Sequence, residues 1–223
     1  IKGLSVHAFN LAAQEVGGDY YDVIPIDERY VGFAVADVSG KGIGGALMMS
    51  ICRSVLRAHA SQKTDPAVVL REVNRTMIGD IYEDMFVTMI YMIYDTETRE
   101  LSMARAGHDP ALILEPEAQE VHRYESGGMA VGLVEPELFD NIIDTKTITL
   151  EPESVVVVYT DGITEAMNNR NEEWGLDPLS RAIIAGKTRT PSQISEIVRE
   201  RVLRFVGEMP QYDDMTLMVL KMD

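Results

Sequence analysis

The spacing of apolar and polar positions along the chain predicts ten strands and four helices. Short runs that are apolar on alternate faces, or on both, are typical of β-strands, and apolar residues recurring every three to four positions are typical of helices. The predicted strands cover residues 4–11, 20–26, 30–38, 86–95, 100–106, 111–114, 121–124, 141–150, 154–160 and 215–222. The predicted helices cover residues 44–60, 65–81, 177–185 and 190–206.

The order of these elements indicates the fold class. Strands flank two helices early in the chain and two late, which is neither an alternating βα pattern nor an all-β one. We therefore expect an α+β fold in which a central antiparallel β-sandwich is flanked by α-helices, within a single domain spanning residues 1–223. Because Ile1 is not a Met and no apolar leader follows it, we expect the chain to be the C-terminal part of a longer regulatory protein.

The predicted helix at residues 44–60 has a broad apolar face, and we expect it to pack on a large surface. The sequence leaves three roles open for this helix. It moves as an activity switch about the glycine-rich loop before it, residues 40–45; it is a fixed part of the core; or it helps to form a homodimer. The two apolar rows of the helix are Leu47, Ile51 and Val55, and Met48, Cys52 and Leu56.

The charge of the chain narrows the classes of partner. The 20 Lys and Arg residues against 36 Asp and Glu residues give a net charge of −16, which repels nucleic acids and anionic membranes. No apolar run approaches the roughly 20 residues needed to span a bilayer, so we expect a cytoplasmic protein without membrane contact. The single cysteine, Cys52, excludes an internal disulfide and a cysteine-cluster zinc site.

Four aspartates share one local context, since each lies at the end of a probable strand beside a Gly or another Asp. An apolar strand that ends in Asp holds a carboxylate rigidly at a sheet edge. Oxygen ligands of this kind are those that Mg²⁺ and Mn²⁺ prefer. Asp before Gly is also ordinary turn chemistry, and the sequence does not show whether the four converge. The four are Asp19, Asp37, Asp161 and Asp213.

Seven short motifs follow one another along the chain. They are VGGDYYD at residues 16–22, ADVSGKG at 36–42, AGHDPA at 106–111, ESGG at 125–128, VGL at 131–133, YTDGITEA at 159–166 and QYDDMT at 211–216. Together they resemble, in family order and over nearly the whole chain, the PPM family of metal-dependent serine/threonine phosphatases. The resemblance is to the bacterial SpoIIE/RsbU-like branch of that family.

This resemblance implies a two-metal site that holds Mn²⁺ or Mg²⁺. It implies metal ligands at Asp19, Asp37, Asp161 and Asp213, which are also the implied catalytic residues, and at the backbone carbonyl of Val38. Asp37 is the implied bridge between the metals. The implied reaction is hydrolysis of phosphoserine or phosphothreonine by activated water, with no enzyme nucleophile. Asp22 and Asp214 are further candidates, either to hydrogen-bond the metal ligands or to bind a third metal ion.

Two departures from the eukaryotic members leave roles unassigned. Ser39 stands where those members have a His proposed to protonate the leaving group, and residues 12–15 contain no Arg to hold the phosphate. Lys41 is the nearest cation and our candidate for substrate binding, with a solvated loop lysine as the equal alternative. His108 lies in a Gly/Pro turn, where a structural hydrogen bond is more usual than metal ligation.

The resemblance also implies a biological setting. The implied substrate is a phosphorylated STAS-domain anti-anti-sigma factor in a bacterial partner-switching pathway that regulates a sigma factor, under an upstream sensor or receiver domain. One alternative is a catalytically inactive pseudophosphatase that acts as a regulated partner-binding module. Retention of all four aspartates argues against it, because clustered carboxylates are costly. A structural cation-binding domain is a third reading, although the chain has no EF-hand spacing. Turnover of a phosphoester with Mn²⁺ would separate the first reading from the other two.

Overall fold

The structure is a computed structural model that describes residues 1–61, 64–79, 81 and 85–223. Its described residues form two compact units, and each of the two is assembled from separate stretches of the chain. Unit 1 contains Ile1–Gln14, Ala111–Tyr124 and Glu151–Asp223, and unit 2 contains Glu15–Pro110 and Glu125–Leu150.

Unit 1 is built on a five-stranded antiparallel sheet of order β1-β10-β9-β6-β7. Its strands are β1 (Leu4–Leu11), β6 (Ala111–Leu114), β7 (His122–Tyr124), β9 (Val155–Tyr159) and β10 (Met215–Met222). Its helices are α4 (Asp161–Thr164), α5 (Leu176–Ala185) and α6 (Pro191–Val206). Helix α6 begins at a capping box between Thr190 and Gln193, and its Val198 and Val202 are fully buried. The apolar row of α6 therefore forms part of the core of unit 1.

Unit 2 is built on a second five-stranded antiparallel sheet, of order β2-β3-β4-β5-β8. Its strands are β2 (Tyr20–Pro25), β3 (Tyr30–Val38), β4 (Val87–Asp95), β5 (Glu100–Ala106) and β8 (Lys146–Thr149). Its helices are α1 (Gly42–Ala60), α2 (Pro66–Met77) and α3 (Pro136–Ile142). Strand β4 is buried along almost its whole length, as its run of apolar residues predicts. Asp65 is the N-cap of helix α2, and its carboxylate accepts a hydrogen bond from the backbone N–H of Ala67 at 2.9 Å.

The predicted α+β fold class, with antiparallel sheets and flanking helices, is confirmed. Two short helices, α3 and α4, were not predicted. The strand expected at residues 141–150 was wrong at its start, because α3 continues to Ile142 and only β8 is extended. Helix α2 ends at Met77, earlier than expected; residue 80 of the predicted helix lies outside the described residues.

The apolar face of α1 is only partly covered. Met48, Cys52 and Leu56 are buried as expected, but the exposed fractions of Leu47 and Ile51 are 61% and 42%. The expectation that the broad apolar face packs on a large surface is therefore met by the row of Met48, Cys52 and Leu56 but not by Leu47 and Ile51. The helix packs mainly against α2, β3 and β2, which cover the row of Met48, Cys52 and Leu56. Among the described residues, no helix has the length and apolar character needed to cross a membrane.

Candidate active site

Two of the predicted acids lie opposite each other in unit 2. Strands β2 and β3 pair antiparallel with Tyr20 opposite Ala36. Asp19 directly precedes β2, and extending the same register by one residue sets it opposite Asp37. On the other side of β3, Asp37 is paired with Thr88 of β4. Asp37 therefore has Asp19 on one side and Thr88 on the other, at the end where β3 leaves the sheet.

The loop after Asp37 folds closely over the segment before Asp19. A Cβ atom placed on Gly18 would lie 3.2 Å from the carbonyl oxygen of Gly40 and 3.4 Å from that of Val38. A Cβ on Gly45, in the first turn of α1, would lie only 2.2 Å from the same Gly40 oxygen. Glycine at these positions lets three backbone segments meet around carbonyl oxygens, close to both acids.

Ser39 and Lys41 lie in that same loop. The backbone N–H of Ser39 donates to the carbonyl of Phe86 at 3.0 Å, and the Ser39 hydroxyl accepts from the Phe86 N–H at 2.9 Å. Ser39 therefore fastens the loop to the residue before β4. Lys41 is exposed and occupies the N-cap position of α1.

The other two predicted acids lie in adjoining segments of unit 1. Asp161 is the first residue of α4, two residues after the end of β9, and Asp213 lies two residues before the start of β10. A Cβ atom on Gly162 would lie 2.0 Å from the carbonyl oxygen of Asp214 and 3.3 Å from the Cβ of Asp213. Only glycine fits there, so the Asp161 segment and the Asp213 segment are in direct backbone contact.

Hydrogen bonds hold the segment that carries Asp213. The side-chain amide of Gln211 donates to the carbonyls of Asp213 at 2.8 Å and Leu11 at 2.6 Å. The buried carboxylate of Asp214 accepts from the backbone N–H of Ala13 at 2.7 Å, and the Asp214 N–H donates to the Asp213 carboxylate at 2.9 Å. The structure thus gives Asp214 a role in fastening the end of β1 to the start of β10.

The donor chemistry fits divalent cations. In unit 2, Asp19, Asp37 and the Val38 carbonyl offer oxygen atoms beside the narrow space at Gly18, and in unit 1 Asp161 and Asp213 offer two more carboxylates. Hard cations such as Mg²⁺ and Mn²⁺ prefer such ligands. Within the part of the chain that the structure describes, no three His, Cys, Asp or Glu side chains form a ready group for a metal ion. Each unit by itself contributes two of the four predicted acids.

A network in unit 2 that sequence reasoning missed joins α1 to β2. The guanidinium of Arg57 donates to both carboxylate oxygens of Asp22, at 2.6 and 2.7 Å, and the hydroxyl of Tyr20 also donates to Asp22. Burial raises the pKa of Asp22, but the hydrogen bonds from Arg57 and Tyr20 and the Arg57 charge outweigh it, so that pKa lies below its ordinary value. Burial and the bond to Asp22 raise the pKa of Tyr20.

No sequence pattern pairs these residues, because Arg57 follows Asp22 by 35 positions. The consequence for the candidate site is nonetheless direct. Tyr20 and Asp22 are on the strand that begins one residue after Asp19, and Arg57 is on the helix that follows the Asp37 loop. The ion pair therefore links the strand that follows Asp19 to the helix that follows the Asp37 loop.

Two other motifs are held together by Arg105 of β5. Its guanidinium donates to the carbonyl of His108 at 2.6 Å and to that of Ser126 at 2.9 Å. His108 is buried, and its Nδ1 lies 2.9 Å from the hydroxyl oxygen of Thr88, the residue paired with Asp37. His108 therefore has the structural hydrogen bond expected for a His in such a turn. The AGHDPA motif therefore contacts Thr88, the residue paired with Asp37, and Arg105 links that motif to the ESGG motif.

Cys52 is unsuited to nucleophilic catalysis. It is fully buried among the apolar residues of unit 2, and burial raises the pKa of its thiol to about 12. A thiol with so high a pKa is almost never ionised at neutral pH, and the thiolate is the nucleophilic form. This agrees with chemistry that needs no enzyme nucleophile.

Known proteins share sequence similarity with this chain over most of its length. A family model described as Stage II sporulation protein E (SpoIIE) matches residues 27–223. The chain is 27% identical to Protein IcfG of Synechocystis, over 93% of this chain and 36% of that protein. It is also 27% identical to phosphoserine phosphatase RsbU of Bacillus subtilis, over 99% of this chain and 64% of that protein. The chain thus spans less than two thirds of the length of either relative.

The fold also matches a solved structure. The SiaA-PP2C domain of Pseudomonas aeruginosa superposes with a TM-score of 0.86 at 21% identity, over 98% of this chain and 86% of that one. At this identity the likeness shows the fold. The two antiparallel sheets with flanking helices are therefore the architecture of a PP2C-type domain.

Proposed function

The chain belongs to the SpoIIE family, and from this premise we propose that it is a metal-dependent protein phosphatase that hydrolyses phosphoserine or phosphothreonine. The observation that carries the proposal is the strand register that sets Asp19 opposite Asp37, with the Val38 carbonyl beside Gly18. Carboxylate and carbonyl oxygens grouped in this way are the ligands that Mg²⁺ and Mn²⁺ prefer. The relative RsbU, named as a phosphoserine phosphatase, supports the same reaction class.

Five groups hold two divalent cations, Mn²⁺ or Mg²⁺, in this proposal. They are the carboxylates of Asp19, Asp37, Asp161 and Asp213 and the carbonyl of Val38. Bound there, the cations supply Lewis-acid stabilisation of the phosphoryl oxygens and activation of water.

The protein itself contributes rigidity and orientation. Asp37 is paired with Thr88 of β4, and this pairing fixes its backbone at the edge of the sheet. Lys41, exposed in the loop after Asp37, is the proposed contact for the phosphate, because a lysine offers a compact positive charge.

The proposed substrate is a phosphorylated STAS-domain anti-anti-sigma factor in a cytoplasmic partner-switching pathway. We propose residues 1–223 as a single phosphatase domain of a longer protein, controlled by an upstream sensor or receiver domain. Support comes from the family match and from the net charge of −16, which favours a protein substrate over a nucleic acid.

The experiment is hydrolysis of a phosphoserine peptide by the purified chain with Mn²⁺, with Mg²⁺ and with excess chelator. We expect phosphate release that disappears with chelator and returns with either cation. Asp177→Asn is a control, since Asp177 is an exposed acid in the first turn of α5. Full activity in excess chelator would contradict the two-metal proposal. Binding of a phosphorylated STAS domain without any phosphate release, at saturating Mn²⁺, would contradict the enzymatic one.

A further inference from the structure

A cleft of about 280 Å³ lies in unit 1, beside the segments of Asp161 and Asp213. One wall is the loop after α4, and the other is the segment between α6 and β10. We call it the methionine cleft, after the three methionines in its lining. Its lining includes Gly162, Met167, Met209, Tyr212, Asp213 and Met215.

The walls of the methionine cleft are held by the protein itself. In the loop after α4, Asn168 accepts hydrogen bonds from the backbone N–H groups of Arg170 at 2.8 Å and Glu172 at 3.1 Å. The buried Trp174 closes that loop by donating its backbone N–H to Ala166 at 2.9 Å. The opposite wall is fixed by the two bonds of the Gln211 amide. The cleft is therefore formed in advance, which lowers the entropic cost of binding.

The size and lining of the cleft indicate its occupant. Drug-sized ligands occupy sites of about 300–1,000 Å³, so this cleft suits one or two amino-acid side chains better than a whole cofactor. The described lining includes Glu165 and Asp213 but neither Lys nor Arg, which disfavours an acidic side chain. Met167 and Met209 are 38% and 39% exposed, and flexible thioether side chains adapt to apolar partners.

The cleft also shares residues with the proposed active site. Gly162, which follows Asp161, and Asp213 itself are among the residues that line it. Successive residues of an extended peptide are about 3.3 Å apart. A polypeptide whose phosphoserine reaches Asp161 and Asp213 would therefore bring a side chain a few residues away into the cleft.

We propose that the methionine cleft binds an apolar side chain of the phosphoprotein substrate, close in sequence to the phosphoserine, and so sets the preference for local substrate sequence. This inference rests on the proposed function and adds a specificity site to it. The partner is a polypeptide with Leu, Met or Phe near the phosphoserine, in place of Asp or Glu.

The first test compares two phosphoserine peptides that differ in a single flanking residue, which is Leu in one and Asp in the other. The reference substrate is p-nitrophenyl phosphate, which is too small to fill the cleft. The ratio of kcat/KM for the Leu peptide to that for the small ester should fall about tenfold in Met209→Ala, the effect of losing a hydrophobic contact. Met209→Arg should shift the preference towards the Asp peptide. Leu203→Ala is the matched control, because Leu203 is 38% exposed and is not among the cleft residues.

The second test locates the peptide directly, without turnover. With the methionine methyl groups labelled, NMR signals of Met167 and Met209, assigned through Met→Leu variants, should shift when the Leu peptide is added in the absence of metal. Shifts confined to other methionines, or equal ratios in Met209→Ala and wild type, would overturn the inference while leaving phosphatase activity in place. Absence of turnover on both the peptides and the small ester, with Mn²⁺ present, would overturn the proposed function and this inference together.

Discussion

Arg57 holds the carboxylate of Asp22 through two hydrogen bonds, across the gap between helix α1 and strand β2. The side chain of Asp22 is 11% exposed and that of Arg57 is 41% exposed, so the pair lies at the edge of the core of unit 2. Strand β2 begins one residue after Asp19, and α1 begins where the loop after Asp37 ends. Disturbing the pair should therefore change both stability and the candidate metal site.

The ion pair has a pH dependence with a defined sign. Because the pKa of Asp22 in the folded chain lies below its ordinary value of 3.8, the pair stabilises the fold fully above that value, and the stabilisation is lost as pH falls through the lower pKa. We expect Asp22→Asn to lower the free energy of unfolding by about 1 kcal/mol near neutral pH. Urea unfolding of both proteins at several pH values should show this difference shrinking below pH 3.8. A constant difference would show that Asp22 acts through packing alone.

The same pair makes a prediction about metal affinity. Arg57→Ala should weaken Mn²⁺ binding and lower turnover together, because the strand that follows Asp19 loses its link to α1. Arg53→Ala is the matched control, since Arg53 is an exposed arginine on the same helix. The measurement is a Mn²⁺ titration of activity and of calorimetric heat. A change in turnover at saturating metal, with unchanged metal affinity, would contradict this route.

Asp37→Asn should remove most turnover while the fold survives. Asp37 lies opposite Asp19, and losing one of two facing charges relieves their repulsion. We expect a fall in kcat of at least about 100-fold, together with an equal or higher melting temperature without metal. The checks are phosphopeptide hydrolysis and a thermal melt, with Asp177→Asn as the reference for loss of a carboxylate charge. A near-normal rate in a folded variant would remove Asp37 from the proposed centre.

Thr88→Val should weaken metal binding without unfolding the chain. Valine keeps the shape of threonine but loses the hydroxyl that lies 2.9 Å from Nδ1 of His108, beside Asp37. Groups that orient metal ligands typically contribute 10- to 100-fold in affinity, so we expect a decrease of about tenfold for Mn²⁺. Thr147→Val is the control, because Thr147 is a strand threonine of the same sheet whose hydroxyl bonds Ser102. Equal effects of both substitutions on Mn²⁺ affinity would contradict a specific role for Thr88.

Two adjacent glycines of α1 should respond oppositely to alanine. A Cβ on Gly45 would lie 2.2 Å from the Gly40 carbonyl, whereas a Cβ on Gly44 would meet nothing within 4 Å. Gly44→Ala should stabilise the chain by up to about 1 kcal/mol through helix propensity. Gly45→Ala should destabilise it, because overpacking costs about 1–3 kcal/mol and exceeds that gain. Chemical unfolding of the two variants gives the comparison, and a stable Gly45→Ala variant would show that the loop yields easily.

Much of the fold could be predicted because local patterns dominate it. Strands β1, β3, β5, β6 and β10 have the predicted bounds, since each is an apolar run closed by turn residues. Helix α3 was missed because it is seven residues long, too short for a helical period to emerge, although Pro136 at its first position is a start signal. The exposure of Leu47 could not be predicted either, since apolar spacing shows that a face exists and not whether a neighbour covers it.

The candidate site divides in the same way. The motifs select Asp19 and Asp37, and the register of β2 and β3 depends on a local pattern that sequence reasoning can follow. The contact between Thr88, the residue paired with Asp37, and His108 was not predictable. The two residues are 20 positions apart, and only the pairing of the strands brings them together. Arg57 and Asp22 illustrate the same limit, since only the packing of α1 brings them together.

The place of β10 in its sheet has a consequence for how the chain folds. This strand, the last in the chain, lies between β1, the first, and β9, and all eight of its residues pair with β1. During synthesis the sheet of unit 1 therefore cannot close until residues 215–222 have left the ribosome, whereas the chain for all of unit 2 has been made by residue 150. Contacts so distant in sequence slow folding. Until then β1 and one edge of β9 lack their partner strand, and unpaired strand edges favour aggregation of the nascent chain.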